Sequence, residues 1–312
     1  MLGVTMNIAN RCSIGRLSSN LVCLCRRTHT YMKRKVDLDF DIHAGLSTNY
    51  DLAPIVVSHG LFSNKKEWTQ SCKELNLLTS RKVICYDAVN HGCSSQHTSM
   101  SYFALAHDLH MILEELNIQK KVIHLGHRMG GKSAGTLALV KPEKVSHLVI
   151  IDSAPSVRRE CLLGDTTTAL QRVLDADISA FESKEEIREE IEKLSLTPLL
   201  TELVLNNVVA KAGGGFKMMC NLQSVMENYD ELIAFPPWRD EVAYHGPTLF
   251  IGDIERETED IVSINKRFPN AFLHHVEDIS YNIHIDTPKD ILGVISNFLG
   301  NKSSKSDVTK NF

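Results

Sequence analysis

Gly126-His127-Arg128-Met129-Gly130-Gly131 stands between a short apolar run, Lys121–Leu125, and a stretch with helical spacing, Lys132–Val140. Strand, tight turn and helix in that order, with glycines at 126 and 130, match the Gly-x-Ser-x-Gly turn that lifts a serine hydroxyl above a sheet. Glycines are what a turn this tight requires. The slot for the serine holds Arg128. The turn is present and the nucleophile is not.

Outward from this turn the chain alternates short apolar strands with helices. Val36–His43 alternates apolar and polar residues as a half-exposed strand does, and Pro54–Ser58 is a β-branched run ending in His59-Gly60. Lys65–Leu78 reads as a helix, Lys82–Tyr86 as a strand, Tyr102–Leu116 as a helix with Leu105, Leu109, Ile112 and Leu113 on one face, and Val145–Ile151 as a strand. Strand signals nearly vanish from Pro155 to Pro236, where Lys184–Leu194, Pro198–Ala210 and Asn221–Ala234 have helical spacing and Gly213-Gly214-Gly215 reads as a hinge-like break. Alternation resumes at Thr248–Ile251, Ala271–Val276 and Lys289–Leu299. The expected architecture is α/β: a mostly parallel central sheet with helices on both faces and a helical cap, about 156–236, inserted after the sixth strand. The domain spans 37–300, and 301–312 is a polar tail.

Charge divides the chain of 312 residues. Residues 1–36 hold no Asp or Glu but carry seven Arg and Lys, so the net −4 of the whole leaves −11 for the rest. An acid-free leader with arginines, serines and amphipathic apolar positions reads as a mitochondrial transit peptide, removed on import to the matrix. The acidic remainder lacks the basic stripe of a nucleic-acid binder, and no run approaches the ~20 apolar residues of a membrane span. Beyond the leader, Cys72, Cys85, Cys93, Cys161 and Cys220 are scattered, with no Cys-x-x-Cys pair, which predicts a reduced compartment and no zinc site. No motif calls for a metal or cofactor. Gly213-Gly214-Gly215 lacks the context of a phosphate loop, and Met218-Met219 reads as core filling.

Taken in order, His59-Gly60-Leu61-Phe62, Asp87–Ser94, Gly126–Lys132, Ile151-Asp152-Ser153-Ala154-Pro155, Asn221-Leu222 and Ile283-His284-x-Asp286-x-Pro288 resemble the α/β-hydrolase superfamily. The resemblance is closest to the abhydrolase domain-containing protein 11 family of mitochondrial ester hydrolases, and covers about residues 36–300. In an active relative an elbow serine attacks a carbonyl, a histidine takes its proton, an acid orients the histidine, and two backbone N–H groups hold the oxyanion. The resemblance implies that those donors are Leu61 and Met129. It puts Arg128 in the nucleophile slot, Tyr281 in the histidine slot, Asp152 in one acid position and Gln223 in another.

Arg128 presents only donors and stays protonated, so it cannot attack a carbonyl. A phenol of ordinary pKa ~10 is a poor base near neutrality. Ser58, Cys93, Ser94, Ser133 and Ser280 are the candidates for a relocated nucleophile, and His59, His91, His127 and His284 have structural roles in such folds. Three functions follow: a non-catalytic descendant retaining a lidded pocket for an acyl, lipid-like or anionic small molecule or a mitochondrial protein partner; an ester or lipid hydrolase with residual or relocated chemistry; or an interaction scaffold. Arg128 itself reads either as an anion clamp at a helix N-terminus or as a side chain snorkelling from a disused site.

Overall fold

The computed structural model describes residues 36–156, 166–253, 259–277, 280–286 and 288–300. The leader 1–35, the tail 301–312 and Cys161 lie outside the described residues. A seven-stranded sheet runs β1-β3-β2-β4-β5-β8-β9. Its strands are β1 (Phe40–His43), β2 (Ile55–Ser58), β3 (Val83–Tyr86), β4 (Val122–His127), β5 (Val145–Ile151), β8 (Thr248–Gly252) and β9 (Ala271–His275). Only β1, at one edge, runs antiparallel to its neighbour. The other pairings are parallel.

The central strands are continuous apolar runs because helices cover both faces, so neither set of alternating side chains meets water. Ile123 and Leu125 of β4, with Ile55, Val57, Val149 and Ile151, pack on Cys72 and Leu75 of helix Thr69–Thr79 and on Ile291, Leu292 and Ile295 of helix Pro288–Gly300. Val56, Ile84 and Val122 pack on the opposite side with Leu109, Ile112 and Leu113 of helix Tyr102–Glu115 and Leu137 of helix Met129–Val140. Each large aliphatic side chain so removed from water is worth roughly 1.5–3 kcal/mol of burial. Ser101 starts the helix at Tyr102 by accepting the Ala104 N–H, a side-chain cap for an otherwise orphaned donor.

Between β5 and β8 lies the insertion. It contains helices Thr166–Asp175, Lys184–Lys193, Pro198–Asn206, Leu222–Glu227 and Tyr229–Leu232, together with a two-stranded antiparallel hairpin of β6 (Val208–Ala210) and β7 (Phe216–Met218). Two expectations are corrected here. The insertion follows the fifth described strand, not a sixth, because β1 is the one described strand preceding β2. The glycines at 213–215 are the tip of the hairpin, not a break between helices. Gly214 and Gly215 take φ of 93° and 71° there, which lets the turn close through the Lys211 N–H on the Gly215 carbonyl at 2.9 Å.

Candidate active site

Parallel register sets the site. His127 pairs with Ile151 at the carboxyl ends of β4 and β5, and the chain continues on each strand for one bonded residue: Arg128 N–H donates to Ile151 O and Asp152 N–H to Ile251 O. Arg128 and Asp152 therefore emerge side by side at the sheet's carboxyl edge. Both have positive φ, 48° and 51°. For Arg128 this is the sharp strand-to-helix turn expected from the glycine spacing, a conformation costing about 1–3 kcal/mol that only over-determined surroundings hold. Sterics enforce the glycines: a Cβ on Gly126 would stand 2.3 Å from the Gly130 carbonyl oxygen, and one on Gly130 2.2 Å from that of Ser58.

Three of the expected positions meet. Nη2 of Arg128 is paired with Oδ2 of Asp152, and the guanidinium carbon lies 4.3 Å over the centre of the Tyr281 ring. The pair is mostly shielded, with 14% and 17% of the two side chains exposed. Burial pushes the Asp152 carboxyl above its ordinary range, and the neighbouring arginine only partly opposes that. Tyr281 is buried, its hydroxyl donating to the Leu61 carbonyl at 2.7 Å, and its ring meets His127 edge-on at 5.9 Å. Burial raises the phenol, so Tyr281 stays protonated and acts as a donor. The three expected positions hold a cation, a neutral phenol and the carboxyl paired to the cation. Of these three side chains, the guanidinium and the protonated phenol offer neither a nucleophile nor a base, and the Asp152 carboxyl is engaged by Arg128.

The loop facing this turn is rigid. His59 Nε2 accepts the Ala88 N–H at 2.9 Å and its Nδ1 donates to Gly60 O at 2.7 Å. His91 Nε2 accepts the Phe62 N–H at 3.2 Å and its Nδ1 donates to Val89 O at 3.0 Å. Burial holds His91 down to about 3, so it stays neutral and its acceptor nitrogen stays available to Phe62. Leu61 and Met129 are both buried, and their N–H groups have no protein acceptor among the described residues. Both thus remain available as backbone donors.

Other expected residues do not join. Gln223 is exposed and donates to Glu227 at 2.7 Å, because the helix starting at Leu222 turns residue 223 outward while Leu222 and Val225 enter the core. Ser58 accepts from Tyr86 Oη, Ser133 donates to Gly130 O, Ser94 to Asp87 O and Ser280 to Asp286, while Cys93 is exposed. None of the five has a histidine partner among the described residues. The side chain of His284 lies outside them. Asp39, Asp87 and Cys93 bring three donor atoms within 4.8 Å of one another. Asp87 is already committed to the N–H groups of Lys65 and Cys93, and the Lys65 ammonium lies 3.4 Å from Asp39, supplying the cation such a cluster attracts.

The pattern of the family described as alpha/beta hydrolase fold matches residues 53–231, more than half of the chain. The chain belongs to the α/β-hydrolase family. Within that family, the sn-1-specific diacylglycerol lipase ABHD11 of Xenopus laevis is 32% identical over 294 residues, covering 90% of each chain. The protein of the same description from Mus musculus is 30% identical over 278 residues, covering 85% of this chain and 86% of its own. Among solved structures, a marine microorganism esterase superposes with a TM-score of 0.73 at 25% identity, covering 85% of this chain and all of its own. The resemblance to the ABHD11 group therefore holds over most of the length.

Two residues of this hydrolase fold acquire importance only in three dimensions. Asn207, buried at the end of helix Pro198–Asn206, donates through Nδ2 to Phe62 O at 2.6 Å and to Leu203 O at 2.8 Å. Lys132, buried on the helix after the turn, donates to Ile233 O at 3.1 Å. Each ties the insertion to a segment that frames Arg128. A buried ammonium has to find oxygen, and only the fold shows that Lys132 is buried and where it finds one; Asn207 carried no sequence signal either.

Proposed function

We propose that this α/β-hydrolase-fold chain is a lipid- or ester-hydrolase descendant with little or no serine-hydrolase activity. In this reading it keeps a pocket, with the insertion as its lid, for an acyl, lipid-like or anionic small molecule, and it works in mitochondria. The observation that supports it most is the Arg128 guanidinium in the nucleophile position, charge-paired to Asp152 and stacked on Tyr281. The lipase and esterase relatives support the ligand class. The Leu61 and Met129 N–H groups support retention of an oxyanion-binding corner, and such a corner with substrate binding alone leaves about 10³-fold acceleration over water.

The test is acyl-ester and diacylglycerol cleavage by the wild type against Arg128→Ser/Tyr281→His. The wild type is expected near that low floor and inert to a fluorophosphonate probe, with the double variant labelled and faster. Wild-type turnover at an ordinary enzymatic ~1–10³ s⁻¹, or strong labelling lost on changing one serine, would overturn the reading. Import is tested by fusing residues 1–36 to a reporter; a diffuse cytosolic signal would refute the mitochondrial assignment.

A further inference from the structure

The amino ends of β2, β3 and β4 open on the side of the sheet away from Arg128, since the three strands are parallel and the turn follows the carboxyl end of β4. Two segments are strapped together at that end. Asn76, buried near the end of helix Thr69–Thr79, accepts the Gly45 N–H and donates to Thr48 Oγ1 and to Arg81 O. Asn49 N–H donates to Ser80 O at 2.7 Å, and the Lys120 ammonium reaches the carbonyls of Tyr50 and Leu52. This bracing holds four large apolar side chains in water: Leu46 fully, Tyr50 at 65%, Leu77 at 69% and Leu78 at 54% exposure.

Most exposed apolar side chains are solitary and need no explanation. These four stand on two segments joined by hydrogen bonds, and apolar surface gathered in this way marks an interaction site. Cations lie along the same and adjoining segments. Residues 44–53, 69–82 and 117–121 carry Lys73, Arg81, Lys82, Lys120 and Lys121 against Asp51 and Glu74, an excess of three positive charges. The chain beyond residue 36 carries −11 in all, so the local sign is opposite to that of the body. Leucine and tyrosine at the centre, with lysines that can snorkel around them, is the composition that seats a protein on an anionic lipid surface. A protein partner would call for a shaped apolar core with few lysines, since lysine is depleted at such interfaces.

We infer that this edge, formed by the 45–52 loop and the end of helix Thr69–Thr79, docks on the surface of an anionic bilayer. Docked this way, the protein holds the edge bearing Arg128 away from the membrane. The inference is independent of whether the chain cleaves esters.

Full-length protein is mixed with vesicles of phosphatidylcholine, with and without phosphatidylserine, and binding is read by sedimentation. Because the basic leader contributes equally to every variant, the ratio between variants isolates the patch. Leu77→Ser/Leu78→Ser is expected to weaken partitioning to the anionic vesicles about 10-fold per leucine, the effect of half-burying each side chain. Lys73→Gln and Lys121→Gln are each expected to weaken it about 5-fold, with the loss growing as salt falls. These side chains are exposed, so melting temperatures stay close to wild type. A site-local readout comes from Tyr50→Trp, whose introduced indole should shift to the blue on anionic vesicles alone. Equal binding by the leucine variant, an unshifted indole, or equal binding to both vesicle types would overturn the inference. So would a wild-type dimer that the leucine variant dissolves while vesicle binding persists, because the patch would then be covered by a second copy.

Discussion

Replacing Arg128 by serine should weaken the fold. The guanidinium is the counter-charge of Asp152, and both side chains are largely shielded. Removing one partner of a buried ion pair costs about 3–5 kcal/mol, and the partial exposure of this one places it at the low end, near 3. The lost stacking on Tyr281 adds about 0.5–1 kcal/mol. Relief of a cation at the start of helix Met129–Val140 returns about 0.3–1 kcal/mol, which offsets the stacking loss. The net of about 3 kcal/mol is a ~150-fold fall in the folded-to-unfolded ratio, and in a domain this size about 6–12 °C in melting temperature. The pH profile identifies the cause. Asp152 already sits above its unfolded pKa because of burial, and without Arg128 it moves higher. A folded carboxyl with a raised pKa favours the fold once protonated, so its stabilising share is present below the unfolded value of ~3.9 and lost as pH rises through the folded value. The difference between wild type and Arg128→Ser in urea unfolding should therefore shrink toward pH 4 and be widest at pH 7. A difference under about 1 kcal/mol at pH 7, or one that does not change with pH, would refute the reasoning.

Two further predictions rest on buried polar groups. His91 and His124 are both held down to about 3 by burial, so the unfolded chain takes up a proton at each from pH ~6.5 downward while the fold does not. Their contribution is intact above ~6.5 and declines as pH falls toward 3; at pH 5 each costs about 2 kcal/mol, and His124→Leu should recover its share in denaturation curves at pH 5 relative to pH 8. Asn207→Ala should cost about 1–3 kcal/mol by leaving the Phe62 carbonyl without its donor, and should raise the rate of proteolysis within the insertion relative to the sheet.

The sheet was legible because its strands are short runs dominated by apolar residues and bounded by residues that stop them. Val145–Ile151 is one such strand, found with the boundaries expected. Elements with thin apolar signals were not. The helix Glu259–Arg267 buries only Ile264 and Arg267 and otherwise reads as a charged connection. Val208–Ala210 continues the apolar spacing of the helix before it, and only Asn207, turned inward to the Phe62 carbonyl, ends that helix and starts a strand. At the site, sequence motifs named Arg128, Asp152 and Tyr281, which the structure brings into contact, because each sits at a fixed place relative to a strand end or turn. Gln223 was drawn in by its neighbours Asn221-Leu222, yet side-chain direction on a helix depends on which residues the core takes, and the core took 222 and 225. The charge pairing that makes the site self-contained depends on two strands ending level, which sets Arg128 beside Asp152.

The glycines at 126 and 130 have a consequence for how such proteins are recognised. They hold the strained turn by exclusion: no side chain fits at either position without striking main chain. Nothing in that constraint depends on what stands at 128. A backbone can therefore go on carrying the outline of a reactive centre after its reactive atoms have gone, and any comparison made on shape inherits the outline. The superposition on an esterase follows the main chain, which at this turn is what the two glycines constrain. The residue at 128 is invisible to the trace of the main chain.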